Sequence, residues 1–420
     1  MKVATVLLPQ NARPGGLEQA TARTADSGVA WVRLDDALVY WTVDDEHWPA
    51  VQARTSSAGL TLQEHPPPDR VEDLHLVTQV GRIFQREHPD VPVLLDKGRY
   101  LVVVLDSEEA GRIQPRQEVC YRVEPLRAGT VVFRTVTPPA RAPQATIEDL
   151  VNQVSQDRYE QSLTHLAGLP TRHSLRPGFL DAATWARDRL DQLGYTTTLT
   201  DITVGSPTRR SHNLIANRTG NGPGSRALVL VTAHLDSINL AGGPDAPAPG
   251  ADDNGSGSAG LLEIAHVVAG QQTVHDLQLI LFGGEEEGLF GSSQHVAALN
   301  TTERDRIRAV INMDMIATKN TTNRSVLLEG APLSQPLIDE LAAAAGTYTT
   351  LTVQTSLHPF NSDHVPFIDA SIPAVLTIEG TDDANHNIHT AGDTLDHIDY
   401  ELALQIVRMN VATTASALLH

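Results

Sequence analysis

Cysteine is nearly absent from this 420-residue chain: Cys120 stands alone, so no disulfide can form within the chain. The fold must rest on its core and on any bound metal. Aromatic residues are scarce, at 4%. Basic residues are outnumbered, with 31 Lys and Arg against 51 Asp and Glu and a net charge of -20. That balance argues against nucleic acid, which selects basic surfaces, and against an anionic membrane surface. No uninterrupted apolar run reaches membrane-spanning length. The opening stretch, MKVATVLLPQNARPGG, is too short in its apolar part for a signal peptide. The chain is therefore expected to be cytoplasmic if Met1 is the true start, and extracellular if it is a processed form. No HExxH pattern occurs, which removes a thermolysin-like helix motif.

The length fits two domains, and 41% apolar residues allow sizeable cores. Residues 1–137 read as a small α+β module. Hairpins are expected around Asp35-Asp36 and Asp96-Lys97-Gly98, further strands at Cys120–Val123 and Thr130–Thr135, and a helix over Leu74–Phe84. No cluster of His, Cys or acid marks this module, and it is read as an accessory domain. The proline-rich stretch 138–145 reads as a linker. From 146 to 420 the pattern alternates. Helical periodicity over Ile147–Leu166 is followed by a helix over Phe179–Leu193 that stops at Gly194. Strands are expected at 195–204, 213–216, 227–233, 277–282, 309–315 and 374–378, with helices at 258–268, 292–298, 334–345 and 399–419. This is the pattern of a three-layer αβα fold with a mixed, mostly parallel central sheet.

The second domain is organised around Val229–Ser237, reading VLVTAHLDS. A continuous apolar run that turns polar at its end reads as a buried parallel strand, and open α/β sheets place chemistry at the carboxyl ends of strands. His234 and Asp236 sit there. Four more places carry reactive side chains: Asp252 and Asp253 in PGADDNGSG, Glu285–Glu287 in FGGEEEGLFGS, Asp314 in INMDMI, and His389 in NIHTAGDT. Singly, each is unremarkable: a turn, a solvated helix start, a surface histidine. Asp314 stands out, because an acid inside an apolar strand is costly to bury. Together they bring two His and several carboxylates, with no basic residue, to the strand ends of one sheet. Such carboxylates repel each other unless cations intervene. Imidazole and carboxylate without thiolate suit zinc. Two ions would use His234, His389, Glu286, Asp314 and Asp253. Three carboxylates against two divalent ions leave one positive charge, which a hydroxide between them would cancel. That is the composition of a two-metal hydrolase, with Glu285 free as general base.

These motifs in order, AHLDS, GADDNGSG, EEEGLFGS, NMDMI and IHTAGDT, resemble the zinc aminopeptidases typified by bacterial leucyl aminopeptidases and aminopeptidase Y. LPTRHS at 169–174 and SDHVPF at 362–367 fit the same pattern, so the likeness runs from about residue 146 to 420. The resemblance implies a monomeric enzyme with two zinc ions per chain that removes N-terminal, preferably apolar, residues from peptides with a free N-terminus. It implies that His234 and Asp314 hold one zinc, Glu286 and His389 the other, and that Asp253 bridges them. Spacing alone leaves Asp252 and Asp253 equivalent; the family pattern favours Asp253 and a cis peptide at Asp253-Asn254. It assigns Glu285 as the base, leaves Glu287 variable, and gives Asp236 the task of holding the His234 ring, with Asp363 and Asp393 in similar duty. Some members carry Tyr before the last histidine, where this chain has Ile388.

Other readings compete. Gly255, Gly257 and Gly260 match GxGxxG, the dinucleotide-binding fingerprint, but the polar loop 239–254 separates them from the strand that fingerprint requires. A glutaminyl cyclase-like acyltransferase keeps the fold with one zinc. A carboxypeptidase or dipeptidase would need a cation for the substrate carboxylate. An inactive scaffold would not need Glu285.

Overall fold

The computed structural model describes residues 1–8, 28–113 and 121–420. Contacts divide the chain into two compact units, Met1–Thr135 and Val136–His420.

The first unit holds strands β1 (Lys2–Leu7), β2 (Val29–Leu34), β3 (Ala37–Thr42), β4 (Leu62–His65), β5 (Leu74–Gln79), β6 (Val93–Lys97), β7 (Tyr100–Val104), β8 (Tyr121–Pro125) and β9 (Thr130–Val136), with helices α1 (Trp48–Ser57), α2 (Ile83–Glu87) and α3 (Ser107–Arg112). They form a five-stranded layer, β9-β2-β3-β1-β4, and a four-stranded sheet, β6-β7-β5-β8. Apolar side chains from both, including Val32, Val39, Leu76 and Val102, share one core. The hairpins around Asp35-Asp36 and Asp96-Lys97-Gly98 occur as expected. The helix expected over Leu74–Phe84 does not. Residues 74–79 form a strand paired on both sides, with β7 and β8, and only residues 83–87 are helical. The run LHLVTQ is buried on both faces, so its apolar spacing carries neither the helical nor the strand period cleanly. Cys120 lies outside the described residues.

The second unit begins with α4 (Ala145–Val151), α5 (Gln156–Ala167) and α6 (Pro177–Gln192), then β10 (Thr196–Val204), β11 (Ser206–Arg218) and β12 (Leu228–His234). There follow α7 (Gly257–Val268), β13 (Asp276–Phe282), α8 (Phe290–Ala298), α9 (Thr301–Arg306), β14 (Ile307–Met313), β15 (Ser325–Glu329), α10 (Gln335–Tyr348), β16 (Thr352–Ser356), α11 (His364–Asp369), β17 (Ala374–Glu379) and α12 (Tyr400–Leu419). The sheet order is β10-β11-β13-β12-β14-β17-β15-β16. Its centre, β13-β12-β14-β17, is parallel, while β10, β11 and the β15–β17 pairing are antiparallel.

Alternate residues of β12 serve opposite faces. Val229, Val231 and Ala233 enter a large core with α4, α5, α6, α7, α10 and α12. Leu230 packs the other way, with Phe282, Val310 and Phe367 near α8 and α11. Helices thus cover both faces of the sheet, which is why its central strands are apolar throughout. The helix α12 is long and apolar enough to cross a membrane by length and composition, but 78% of its apolar window is buried inside the protein. Two strands, β15 and β16, and the full length of β11 were not anticipated from the sequence. The proline-rich stretch is tied down: Arg141 forms a two-pronged pair with Glu340, at 2.7 and 3.0 Å.

Candidate metal centre

His234 is the last residue of β12, and Asp314 follows the last residue of β14. Asp314 was expected inside its strand. It stands just beyond it, because Met315 takes a left-handed conformation (φ 50°) and turns the chain away. Glu285–Glu287 follow β13, and His389 lies in the loop after β17. All four strands are neighbours in the parallel centre of the sheet, so their carboxyl ends open on one rim. Asp252 and Asp253 arrive from the long connection between β12 and α7, in an irregular turn over residues 251–256. The Asp253–Asn254 peptide is cis.

The side chains converge in two groups that share one member. His234 Nε2 lies 3.2 Å from Asp314 Oδ1 and 3.3 Å from Asp253 Oδ1. His389 Nε2 lies 3.1 Å from Asp253 Oδ2 and 3.0 Å from Glu286 Oε2. Each group offers one imidazole nitrogen and two carboxylate oxygens, all within 4.8 Å of one another. Among the described residues these are the two groups that could hold a metal, and both lie in the second unit. Asp252 points elsewhere: its oxygens accept from the Ala317 N–H and the Asn385 amide, both at 2.9 Å. Glu285 Oε2 stands 4.0 Å from His234 Nε2.

Hydrogen bonds fix the orientation of these groups. The His234 Nδ1 faces the main-chain oxygen of Asp236 at 3.2 Å, while the Asp236 carboxylate is 3.6 Å away. Asp236 thus stands against the ring as expected of it, with its backbone carbonyl making the shorter contact. The carboxylate instead accepts the Glu286 N–H at 3.2 Å. Ser362 donates to Asp314 Oδ2 at 2.6 Å, and is itself reached by the Asn312 amide, which accepts from Thr232. Glu287 is held by Ser174 and His173, at 2.7 and 3.0 Å. Ile388 is buried immediately before His389.

Burial makes this concentration of charge costly. It raises Glu285 well above the ordinary glutamate value, reinforced by Asp314, Asp363 and Glu286. Glu286 is pushed up to about 7, by burial and then by Asp253. Asp363 also rises to about 7, chiefly through burial. Asp253 is the exception: burial opposes its charge, but the hydrogen bonds to His234 and His389 hold it low. A divalent cation in each group would satisfy the same oxygens without protons. The donor set fits that role: imidazole and carboxylate only, with Glu286 Oε1 buried and without a hydrogen-bond partner.

Sequence reasoning brought all seven of its site residues, His234, Asp236, Asp253, Glu285, Glu286, Asp314 and His389, to this rim. It gave no role to Ser362, Asn312 or Thr232. Their only signal is that polar residues at 232 and 312 interrupt apolar strands. Arg172, buried behind the site, was visible only as a letter in LPTRHS.

A three-layer α/β fold with imidazoles and carboxylates paired at its strand ends suits a metal-dependent hydrolase. The model of peptidase family M28 matches residues 213–414, within the second unit. The chain is 27% identical over 286 residues to leucine aminopeptidase 1 of Coccidioides posadasii, covering 64% of this chain and 73% of that protein. A zinc aminopeptidase from Bacillus subtilis shares the fold, with a TM-score of 0.57, 17% identity, and coverage of 63% of this chain and 96% of that one. A glutaminyl cyclase from Bacteroides thetaiotaomicron shares it too, with a TM-score of 0.53, 18% identity, and coverage of 63% and 98%.

Proposed function

We propose that this protein is a zinc-dependent aminopeptidase that removes the N-terminal residue of peptides, with two zinc ions held at the strand ends. The observation that carries the reading is Asp253, whose two oxygens each face a different histidine, each histidine being matched by one further carboxylate. In this reading His234 and Asp314 hold one ion, His389 and Glu286 the other, and Asp253 serves both. Bound zinc would supply Lewis acidity to the scissile carbonyl and lower the pKa of a water at the site.

The remaining work falls to the chain. Glu285 lies beside the first group, its Oε2 4.0 Å from His234 Nε2. It would take the proton of the attacking water and deliver it to the leaving amine. Its raised affinity for protons, set by burial and by Asp314, Asp363 and Glu286, suits a group that must hold a proton between those two events. Asp236 fixes the Glu285-Glu286 segment through the Glu286 N–H and the His234 ring through its carbonyl. The preferred side chain is expected to be apolar.

The test is hydrolysis of leucine p-nitroanilide beside its N-acetylated form, with zinc-loaded and with chelated protein. Zinc-dependent cleavage of the free-amine substrate alone is expected. Cleavage of both substrates would remove the requirement for a free amine. Cyclisation of an N-terminal glutamine peptide, without hydrolysis, would select the acyl-transfer chemistry of the cyclase that shares the fold.

A further inference from the structure

Arg172 is completely buried, yet the partners of its guanidinium among the described residues are main-chain oxygens rather than carboxylates. Its guanidinium donates to four main-chain oxygens: Nε to Leu235 at 2.8 Å, Nη1 to Leu166 at 3.0 Å and Pro249 at 2.5 Å, and Nη2 to Gly250 at 2.9 Å. Its own N–H donates to Ser237 Oγ at 3.1 Å. A buried guanidinium is costly, and its usual compensation is a bidentate carboxylate. Here one bond ties it to α5 at Leu166 and the other three go to the two stretches that carry the candidate ligands: Leu235 lies between His234 and Asp236, and Pro249-Gly250 lead into Asp253.

The opposite side of the same stretch meets an anion. Asp393 Oδ1 accepts the Asp252 N–H and Oδ2 the Asp253 N–H, each at 2.9 Å, while its main-chain oxygen accepts the Ala251 N–H at 3.1 Å. Residues 249–253 are therefore gripped from two sides, carbonyls by a cation and amides by a carboxylate. No side chain of the stretch is consumed in the grip, so the Asp253 carboxylate is left to face both histidines. The fit is close: Gly250 has φ +52°, and a Cβ there would stand 2.9 Å from Arg172 Nη2 and 2.4 Å from the Asp253 oxygen.

We propose that Arg172 is a positioning residue for the metal centre, which together with Asp393 fixes the Asp253 carboxylate midway between His234 and His389 before any ion arrives. The inference rests on the two-zinc reading above. Because Asp253 belongs to both groups, a loosened grip weakens both ions together rather than one. A purely structural role would lower the melting temperature and leave the zinc affinities of the folded protein unchanged.

The test uses the full chain and zinc alone, titrated in competition with a chromophoric chelator. Arg172→Lys keeps the charge but loses the fork; Asp393→Asn keeps one acceptor of two. Variants are first compared with the parent by circular dichroism. Outer-shell partners of metal ligands typically change affinity by about 10- to 100-fold. The expected result is that both zinc dissociation constants rise by about that factor, in parallel, in folded variants. Unchanged affinities, or the loss of one ion alone, would overturn the proposal. Should Arg172→Lys fail to fold, Asp393→Asn decides by the same criteria. A parent chain that binds fewer than two zinc ions would overturn the two-zinc reading, and this inference with it, and would do so before any variant is compared.

Discussion

Glu285 and Glu286 are sequence neighbours with different tasks, and single substitutions separate them. Glu285→Gln removes the proton acceptor and keeps the shape, so turnover should fall by about 10²- to 10⁴-fold, the usual range for general acid–base groups. Zinc content, measured by atomic absorption, should stay at the parent level. Near-normal turnover would mean the base lies elsewhere. Asp253→Asn should cost metal as well as rate, because both groups draw on its oxygens. Full zinc occupancy in that variant would remove Asp253 from the ligand set.

The same residues set a pH dependence for metal uptake. Glu286 is pushed up to about 7 by burial and by Asp253, so below that pH it holds a proton that zinc must displace. Apparent zinc affinity should therefore fall as pH drops through about 7, with proton release visible on titration in two buffers of different ionisation enthalpy. Burial opposes a charge on the His234 imidazole, but the neighbouring carboxylates Glu285 and Asp314 hold it protonated above its ordinary range, so the affinity should go on rising above pH 7. A flat affinity from pH 8 to pH 5.5 would contradict the assignment of Glu286 as a ligand.

Among the elements, the turn that begins at Gly250 and runs over residues 251–256 is closely packed. Gly250→Ala places a methyl 2.5 Å from the Ser237 Cβ, in addition to the left-handed backbone. Strained backbone positions of this kind cost about 1–3 kcal/mol, so the melting temperature should drop by several degrees. An unchanged melting temperature would show that the turn can relax. Legibility in the sequence also varies element by element. The parallel strands at 228–234, 276–282, 307–313 and 374–379 were readable because burial on both faces leaves an unbroken apolar run bounded by polar residues. Strand β5 has the same burial but mixes His75 and Thr78 with its apolar residues, so neither period stands out and the run was read as part of a helix. The β15 and β16 strands are five residues each, at the limit of what spacing can resolve. The site was legible because its ligands cluster at strand ends in short motifs. The supports at Arg172, Ser362 and Asn312 were not, because their partners are main-chain atoms or residues about 50 or more positions away.

On the scale of the molecule, every candidate ligand lies in the unit Val136–His420. If that unit folds alone, deletion of residues 1–135 should leave zinc uptake intact, and the change in turnover then reports what the first unit does to catalysis. Zinc that binds only the folded state should also stabilise it, by about 4 kcal/mol when free zinc is a thousandfold above its dissociation constant. Chelation should lower the melting temperature accordingly. An identical melting curve with and without chelator would argue that zinc is not bound to the native fold.

The order of strands in the large sheet has one more consequence. The strand β17, which comes last in sequence, lies between β14 and β15 and joins the two halves. His389 and Asp393 come later still, followed by α12, which closes the core. During synthesis the amino-terminal parts emerge first and can fold as they appear. In the second unit, however, the middle of the sheet stays unfilled until β17 has been made. A chain that stops short of His389 therefore lacks one of the two imidazoles on which the candidate metal groups draw, and the second group cannot form in it.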